Sequence, residues 1–245
     1  MKNIIITKKN NIEYLQFKKL LEYDNLQHCI TLRTGDLDFG AIDNFSEKEA
    51  EFIENYKRIC DALKFDYNNI IRPKQTHTDN IEIITKKQEK IEIFPEYLDN
   101  VDGLITNQKN IILATSYADC IPLMFFDPIK NVIASIHSGW QGTLKKIGKK
   151  AVQKMIDNFN CKPENIICTI GPSIRTCHFE VQNDVSELFY EEFKYTNKIN
   201  EIIKDNKIDT VLINQIILQE IGLKKENIID SRNMYSVWKR EILFI

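Results

Sequence analysis

The sequence predicts a single domain of mixed α/β (α+β) class. Short apolar segments bounded by turn residues alternate with longer segments whose apolar residues recur at helical spacing. One short turn separates two neighbouring strand segments, so hairpins are mixed with strand–helix units. No linker-like stretch and no internal repeat interrupts residues 1–245, which we therefore expect to form one domain.

Ten segments have the length and composition of β-strands. Those at 110–118, 121–126 and 132–136 are largely apolar, which is typical of strands buried on both faces. The turn at 127–131 joins the last two segments as a hairpin. The other predicted strands lie at 4–6, 28–34, 68–72, 80–85, 101–106, 166–170 and 227–230.

Four segments are predicted to be helices. The segment 47–63 has apolar residues at helical spacing, and Ser46 with Glu49 has the spacing of a capping box at its start. The other helices are predicted at 143–158, 183–193 and 209–221, with a short mixed, helix-like piece at 16–22.

The composition argues against several classes of protein. The chain has 33 basic and 35 acidic residues, a formal net charge of −2, and no strongly basic half, so we expect no nucleic-acid or membrane partner. No apolar run approaches the roughly 20 residues of a membrane helix, and the short apolar start does not resemble a signal peptide. We expect a cytoplasmic protein whose six cysteines are buried thiols, metal ligands or nucleophiles.

Two histidines stand beside polar residues at the edges of predicted strands. His77 lies in a polar loop, and loops often carry functional groups. His137 ends a strand and leads into a turn with Gly139 and Gly142, which is where ligands bind in α/β sheets. We interpret His28, inside a strand, as structural.

Cys120 lies between two buried strands, directly after Asp119. An acid in so apolar a stretch must be paired or solvated, and it could orient a histidine. His77, Cys120 and His137 together suit a catalytic zinc that keeps a fourth position for water. The same residues could instead form a Cys–His nucleophilic pair. Both chemistries need a thiolate, so the residues alone leave the two alternatives open.

Five motifs follow one another between about residues 30 and 190. They are Gln75-Thr76-His77, Val101-Asp102-Gly103-Leu104-Ile105-Thr106, Ala118-Asp119-Cys120-Ile121-Pro122, His137-Ser138-Gly139-Trp140-Gln141-Gly142, and Gly171-Pro172-Ser173-Ile174 with Cys177-His178-Phe179-Glu180-Val181. In this order they resemble the laccase-domain, or multicopper-polyphenol-oxidase-like, family of purine nucleoside phosphorylases. That family also includes a peptidoglycan editing factor.

The resemblance implies that His77, Cys120 and His137 hold zinc in a laccase-like domain, 1–245, whose mixed sheets are sandwiched between helices. It implies phosphorolysis of adenosine, inosine and methylthioadenosine, and deamination of adenosine, with purine nucleosides and phosphate as substrates. It makes no prediction of oligomeric state. Copper, implied by the family's older name, is less expected, because true multicopper oxidases need many more than the four histidines present.

Charge and motif position suggest roles for the neighbouring polar residues. Asp119 is the candidate for orienting a histidine or transferring a proton. Substrate binding is assigned to Arg33, Lys74, Gln75 and Arg175. The three cations among them, Arg33, Lys74 and Arg175, are candidates for holding phosphate.

Two alternatives to the phosphorylase stay open, and departures from the family pattern bear on the second, non-catalytic one. Gln141 stands where the family usually has Arg, and the segment 233–240 matches the family only loosely, so phosphorolysis could be weakened. One alternative is a Cys–His hydrolase, such as an amidase that edits a peptidoglycan precursor. The other is a non-catalytic member that retains zinc for its structure.

Overall fold

Two six-stranded β-sheets form the centre of the fold, and helices cover their outer faces. The structure is a computed structural model that describes residues 3–32, 45–86, 95–232 and 240–244, with 45–49 and 240–244 described by their backbone alone. Its strands are β1 Ile4–Lys9, β2 Ile12–Phe17, β3 His28–Thr31, β4 Ile70–Ile71, β5 Ile81–Ile83, β6 Gly103–Thr106, β7 Ile112–Tyr117, β8 Ile121–Asp127, β9 Val132–Ser138, β10 Ile167–Ile170, β11 Ile203–Lys204, β12 Lys207–Ile208, β13 Ile228–Asp230 and β14 Arg240–Phe244. Its helices are α1 Phe45–Leu63, α2 Trp140–Leu144, α3 Ile147–Phe159, α4 Asn183–Phe193, α5 Ile199–Ile202 and α6 Thr210–Glu220.

Both sheets mix parallel and antiparallel pairs. The first sheet has the strand order β1-β2-β3-β14-β7-β4, and the second has the order β13-β10-β8-β9-β6-β5. The pairs β4–β7, β5–β6 and β10–β13 are parallel, and the other pairs in these sheets are antiparallel. The chain crosses between these sheets from β4 to β5, from β6 to β7, from β7 to β8 and from β13 to β14.

The alternation of side chains along β8 shows how the layers are held together. Met124 and Phe126 pack into the core between the sheets, while Leu123 and Phe125 point the other way, into the core beneath α3 and α6. A third core joins α1 to the outer face of the first sheet. The predicted α/β class, with mixed sheets between helices, is therefore confirmed.

Most of the predicted elements form, and some predictions are corrected. The hairpin β8–β9 pairs as expected. The prediction of a helix-like piece at 16–22 is wrong, because β2 occupies Ile12–Phe17 and only a short 3-10 turn follows it. The helix predicted at 143–158 is two helices, α2 and α3, separated by Lys146 in the left-handed region at φ 59°.

Some of the predictions fall outside the described residues. The Ser46–Glu49 capping box involves side chains that are not described, and Arg33 with most of the segment 233–240 is likewise outside. Within the described part of the chain, no helix has both the length and the apolar character needed to cross a bilayer.

Candidate metal centre

The structure brings His77, Cys120 and His137 together where the chain passes between the sheets. His77 lies on the crossover from β4 to β5, Cys120 lies on the crossover from β7 to β8, and His137 is near the end of β9. One ligand atom of each residue lies within 4.8 Å of the others. His77 is exposed, Cys120 is half-buried and His137 is buried, so the cluster opens to solvent on the His77 side.

Two local features allow the three side chains to approach one another. β9 runs beside β8 with Pro122 opposite His137, which brings His137 next to the start of β8 and to Cys120. His77 has φ 65°, in the left-handed region that few non-glycine residues occupy, and backbone strain of this kind is often found at functional sites.

The three groups shift one another's proton affinity. Burial alone would raise the pKa of Cys120, but hydrogen bonds from His137 and His77 outweigh it and lower the pKa to about 7. Burial alone would lower the pKa of His137, but contacts with Asp102 and Cys120 raise it to about 9. A hydrogen bond with Cys120 raises the pKa of His77. The metal-free cluster therefore favours a thiolate beside cationic imidazole.

The carboxylate that contacts His137 belongs to Asp102, whereas Asp119 was the residue expected to orient a histidine or to transfer a proton. His137 Nδ1 lies 2.7 Å from Asp102 Oδ1, and Asp102 is fully buried. Asp119 has an exposed side chain, while its carbonyl accepts the N–H of Ile174 at 2.9 Å. Water therefore solvates the acid next to Cys120. Asp102 also interrupts an apolar strand, so the criterion applied to Asp119 could have found it.

Three of the residues assigned to substrate binding, Lys74, Gln75 and Arg175, lie in the described part of the chain, and each has a protein partner. The Gln75 amide donates to the Ser116 carbonyl and accepts the Ser116 N–H, both at 2.8 Å, which ties the His77 loop (residues 73–80) to β7. Lys74 Nζ lies 3.7 Å from Asp99, in a half-exposed ion pair. Arg175 forms a two-point contact with Asp230, at 3.0 and 2.8 Å. These contacts tie Gln75 to β7 and Arg175 to the end of β13, whereas Lys74 is half-exposed.

Gln141, at the position where the family usually has Arg, is exposed on α2. Lys145, one helical turn further on, forms an ion pair with Asp79 at 3.2 Å, and Lys150 contacts the same carboxylate. These contacts join helices α2 and α3 to the His77 loop.

The donor set fits a transition metal. Two imidazole nitrogens and one thiolate are ligands that zinc accepts, and three protein ligands are usual for catalytic zinc. His137 also has the supporting carboxylate that metal-binding histidines usually have. In the described residues, this is the cluster of His, Cys and acidic side chains whose ligand atoms could hold an ion.

Comparison with known proteins identifies the family. A family model described as "Multi-copper polyphenol oxidoreductase laccase" matches residues 28–244. The chain belongs to this family. The predicted resemblance is therefore confirmed, and the match covers all three residues of the cluster and every strand of the two sheets except β1 and β2.

Several relatives in the laccase family have names that specify activities. "Purine nucleoside phosphorylase YlmD" of Bacillus subtilis strain 168 is 30% identical over 186 residues, which cover 74% of this chain and 67% of that protein. Human "Purine nucleoside phosphorylase LACC1" is 28% identical over 212 residues, which cover 83% of this chain and 47% of the human protein. The chain thus spans about half the length of the human relative. "Adenosine deaminase RL5" of an unknown prokaryotic organism is 29% identical over 179 residues, covering 70% and 67%.

A solved structure agrees with the fold of the laccase-family chain. The crystal structure of YlmD from Geobacillus stearothermophilus superposes with a TM-score of 0.84 and covers 98% of each chain at 19% sequence identity. At that identity the likeness concerns the fold.

Proposed function

We propose that the chain is a zinc-dependent purine nucleoside phosphorylase. Its proposed substrates are adenosine, inosine and methylthioadenosine with phosphate, and it would also deaminate adenosine. The observation that carries the proposal is the approach of His77, Cys120 and His137 to within 4.8 Å at an open crossover. The names of the relatives, phosphorylases and one deaminase, support the choice of nucleosides.

Zinc is the proposed ion, and copper is the competing one. Two histidines and one cysteine also occur in single-copper electron-transfer sites. Four histidines in the whole chain are too few for the several coppers of a multicopper oxidase, so a nucleoside reaction fits the donor set better than phenol oxidation. When bound, zinc supplies Lewis-acid polarisation or a water molecule of lowered pKa.

The protein's own groups bind the reactants and handle protons. In phosphorolysis, a phosphate oxygen bonds to the anomeric carbon while the glycosidic C–N bond breaks, and the departing purine takes up a proton. Lys74, at the rim of the loop, and Arg33 are the proposed phosphate ligands, because each offers a cation. Arg175 and Gln75 support the loops around them through the contacts described above.

Deamination would use water in place of phosphate. The water oxygen bonds to C6 of adenine, and the C6–N bond breaks to release ammonia. Asp119, exposed next to Cys120, is the proposed group for transferring protons to and from solvent.

Product analysis with and without phosphate tests both reactions. Purified protein of measured metal content is incubated with adenosine. Adenine and ribose 1-phosphate are expected only with phosphate, whereas inosine and ammonia are expected in either case. His137→Ala should lose zinc and both products, and His178→Ala, at an exposed histidine outside the cluster, should retain them. Stoichiometric zinc with no turnover of any of the three nucleosides would contradict the proposal and favour a structural role for the metal.

One observation supports a second candidate function. Cys120, with a pKa of about 7 beside two histidines, resembles an activated nucleophile. A Cys–His hydrolase, such as an amidase acting on a peptidoglycan precursor, would form an acyl-thioester on this sulfur. Mass spectrometry should then detect a covalent adduct on Cys120 in metal-free protein that remains active. A metal-bound, unreactive thiol would exclude this candidate.

A further inference from the structure

We infer that Asp102 is the positioning residue of the metal centre, because one buried carboxylate fixes both histidines before any ion binds. This inference rests on the metal site of the proposed function. Asp102 is neither one of the three proposed metal ligands nor one of the residues proposed to bind substrate.

The first part of the argument is the hold of Asp102 on the His77 loop. Asp102 Oδ2 accepts the N–H and the hydroxyl of Thr78, each at 2.7 Å, and the N–H of Thr76 at 3.3 Å. Asp102 Oδ1 accepts the N–H of His77 itself at 3.1 Å. Three successive backbone N–H groups thus converge on one carboxylate, which holds His77 in its otherwise disfavoured left-handed conformation.

The second part is the contact with the other histidine. Asp102 Oδ1, the same oxygen that accepts the His77 N–H, lies 2.7 Å from His137 Nδ1. An ionised carboxylate only accepts hydrogen bonds, so Nδ1 must carry the proton. Nε2 is then the ring nitrogen that is left for an ion. The two histidines come from different elements, yet a single oxygen atom fixes the position of both.

The third part is the rigidity of Asp102 itself. Its N–H donates to the Asn80 carbonyl at 2.9 Å, and its own carbonyl accepts the His137 N–H at 2.7 Å. The residue is fully buried at the start of β6, between the loop and β9. The carboxylate therefore has little freedom to move, and the loop and the ring are held against a fixed point.

The substitution Asp102→Asn tests this arrangement with almost no change in size. An amide has one acceptor oxygen, and its NH2 group would face N–H donors, so the set of contacts cannot be kept. We expect zinc affinity, measured by competition with a chromophoric chelator, to fall about 10- to 100-fold. The visible spectrum of the cobalt-substituted protein should also change, because it reports the geometry of the ligands.

Asp127→Asn is the matched control. Asp127 is equally buried and also accepts two turn N–H groups, those of Ile129 and Lys130, but it lies at the opposite end of β8 from Cys120. The Asp127→Asn substitution should lower the thermal stability of the protein and leave its zinc affinity and the cobalt spectrum unchanged. Thr78→Val removes the hydroxyl contact with Asp102, together with the hydroxyl's contacts to the Asn100 carbonyl and the Asn80 N–H, and keeps the three backbone N–H contacts. It should weaken zinc binding by a smaller factor, and it carries the test if Asp102→Asn does not fold.

Hydrogen exchange in the metal-free protein separates this inference from the proposed function. The amides of Thr76, His77 and Thr78 should be protected in the wild type and in Asp127→Asn, and should exchange rapidly in Asp102→Asn. Retained protection, or wild-type zinc affinity in Asp102→Asn, would overturn the inference. A wild-type protein that binds no metal would overturn the proposed function, while amide exchange would still decide the role of Asp102.

Discussion

Gly139 leaves the metal centre its space. A Cβ atom at this position would lie 2.9 Å from His77 Cδ2 and 3.2 Å from Cys120 Sγ. Both distances are shorter than ordinary van der Waals contacts, so any side chain would displace the imidazole and the sulfur. The glycine between His137 and Trp140 is therefore explained by steric room.

Gly139→Ala should weaken metal binding more than it weakens the fold. The added methyl group pushes on two of the three proposed ligands, so we expect zinc affinity to fall at least about tenfold, a factor that corresponds to about 1.4 kcal/mol. Isothermal titration of the metal-free protein with zinc measures this. Gly148→Ala is the control, because its Cβ would meet Leu123 and Asn214 at 3.1 and 3.3 Å, away from the cluster. Equal losses of affinity in the two variants would contradict the steric explanation.

His28 has the structural role interpreted from the sequence. It is fully buried, and its Nε2 accepts the N–H of Phe17 at 2.7 Å, which requires an unprotonated nitrogen. Burial lowers the pKa of His28 to about 3. The folded protein therefore keeps this ring neutral at pH values where an unfolded chain would protonate it.

Stability should consequently fall as the pH is lowered. Below about 6.5 the unfolded state takes up a proton on His28 that the folded state does not bind until the pH approaches 3, so the stability present above pH 6.5 is lost through this window. Between these two pKa values the slope approaches about 1.4 kcal/mol per pH unit. Urea unfolding between pH 7 and 5 should have a shallower pH dependence in His28→Gln than in the wild type. His178→Gln, at an exposed site, should keep the wild-type slope, and an unchanged slope in His28→Gln would refute the assignment.

At the scale of elements, local patterns predicted the second sheet better than the first. The apolar runs that became β8 and β9 could be recognised because each strand is buried on both faces. β14 could not be, because its position between β3 and β7 depends on pairing with residues more than a hundred positions away. The break between α2 and α3 at Lys146 has no glycine or proline to signal it.

In the candidate metal centre, the sequence likewise predicted the proposed ligands better than the residues that support them. Histidine and cysteine are rare and chemically distinctive, so the sequence could single out His77, Cys120 and His137. Their supporting residues were harder to predict, because Asp102 and Asp119 both follow apolar or small neighbours and only the fold decides which of them is buried. The partners of Gln75 and Arg175 likewise come from distant strands.

The pair Arg175–Asp230 should act as a tie between elements. It joins the loop after β10 to the end of β13, and both side chains are more than four-fifths buried. Arg175→Gln should lower the unfolding free energy by about 2 kcal/mol, because the Asp230 carboxylate loses its two hydrogen bonds from the guanidinium and keeps the one from the Arg232 N–H. Lys19→Gln, in the exposed pair with Glu22, should change it by less than about 1 kcal/mol. Unchanged stability together with a raised KM for phosphate would instead make Arg175 a substrate ligand.

At the scale of the molecule, the metal centre lies where the polypeptide passes from one sheet to the other. His77 and Cys120 lie on two of the crossovers between the sheets, those from β4 to β5 and from β7 to β8. The Gln75 amide links the His77 loop to β7 by pairing with the Ser116 backbone. His137 belongs to the second sheet alone. An ion bound by all three would connect segments from residue 77 to residue 137 and would oppose separation of the layers.

Zinc should therefore stabilise the whole fold. An ion that binds only the folded state adds about 2.7 kcal/mol at 100 times its dissociation constant, which for a domain of this size raises Tm by roughly 5–10 °C. Thermal unfolding of chelator-treated protein with and without zinc measures the shift. His77→Ala should lose most of it because the crossover ligand is gone, and His178→Ala should keep it. If zinc raised the Tm of His77→Ala as much as that of the wild type, the stabilising zinc would be bound at a site that does not need His77. The proposed role of the cluster as the zinc site would then be contradicted.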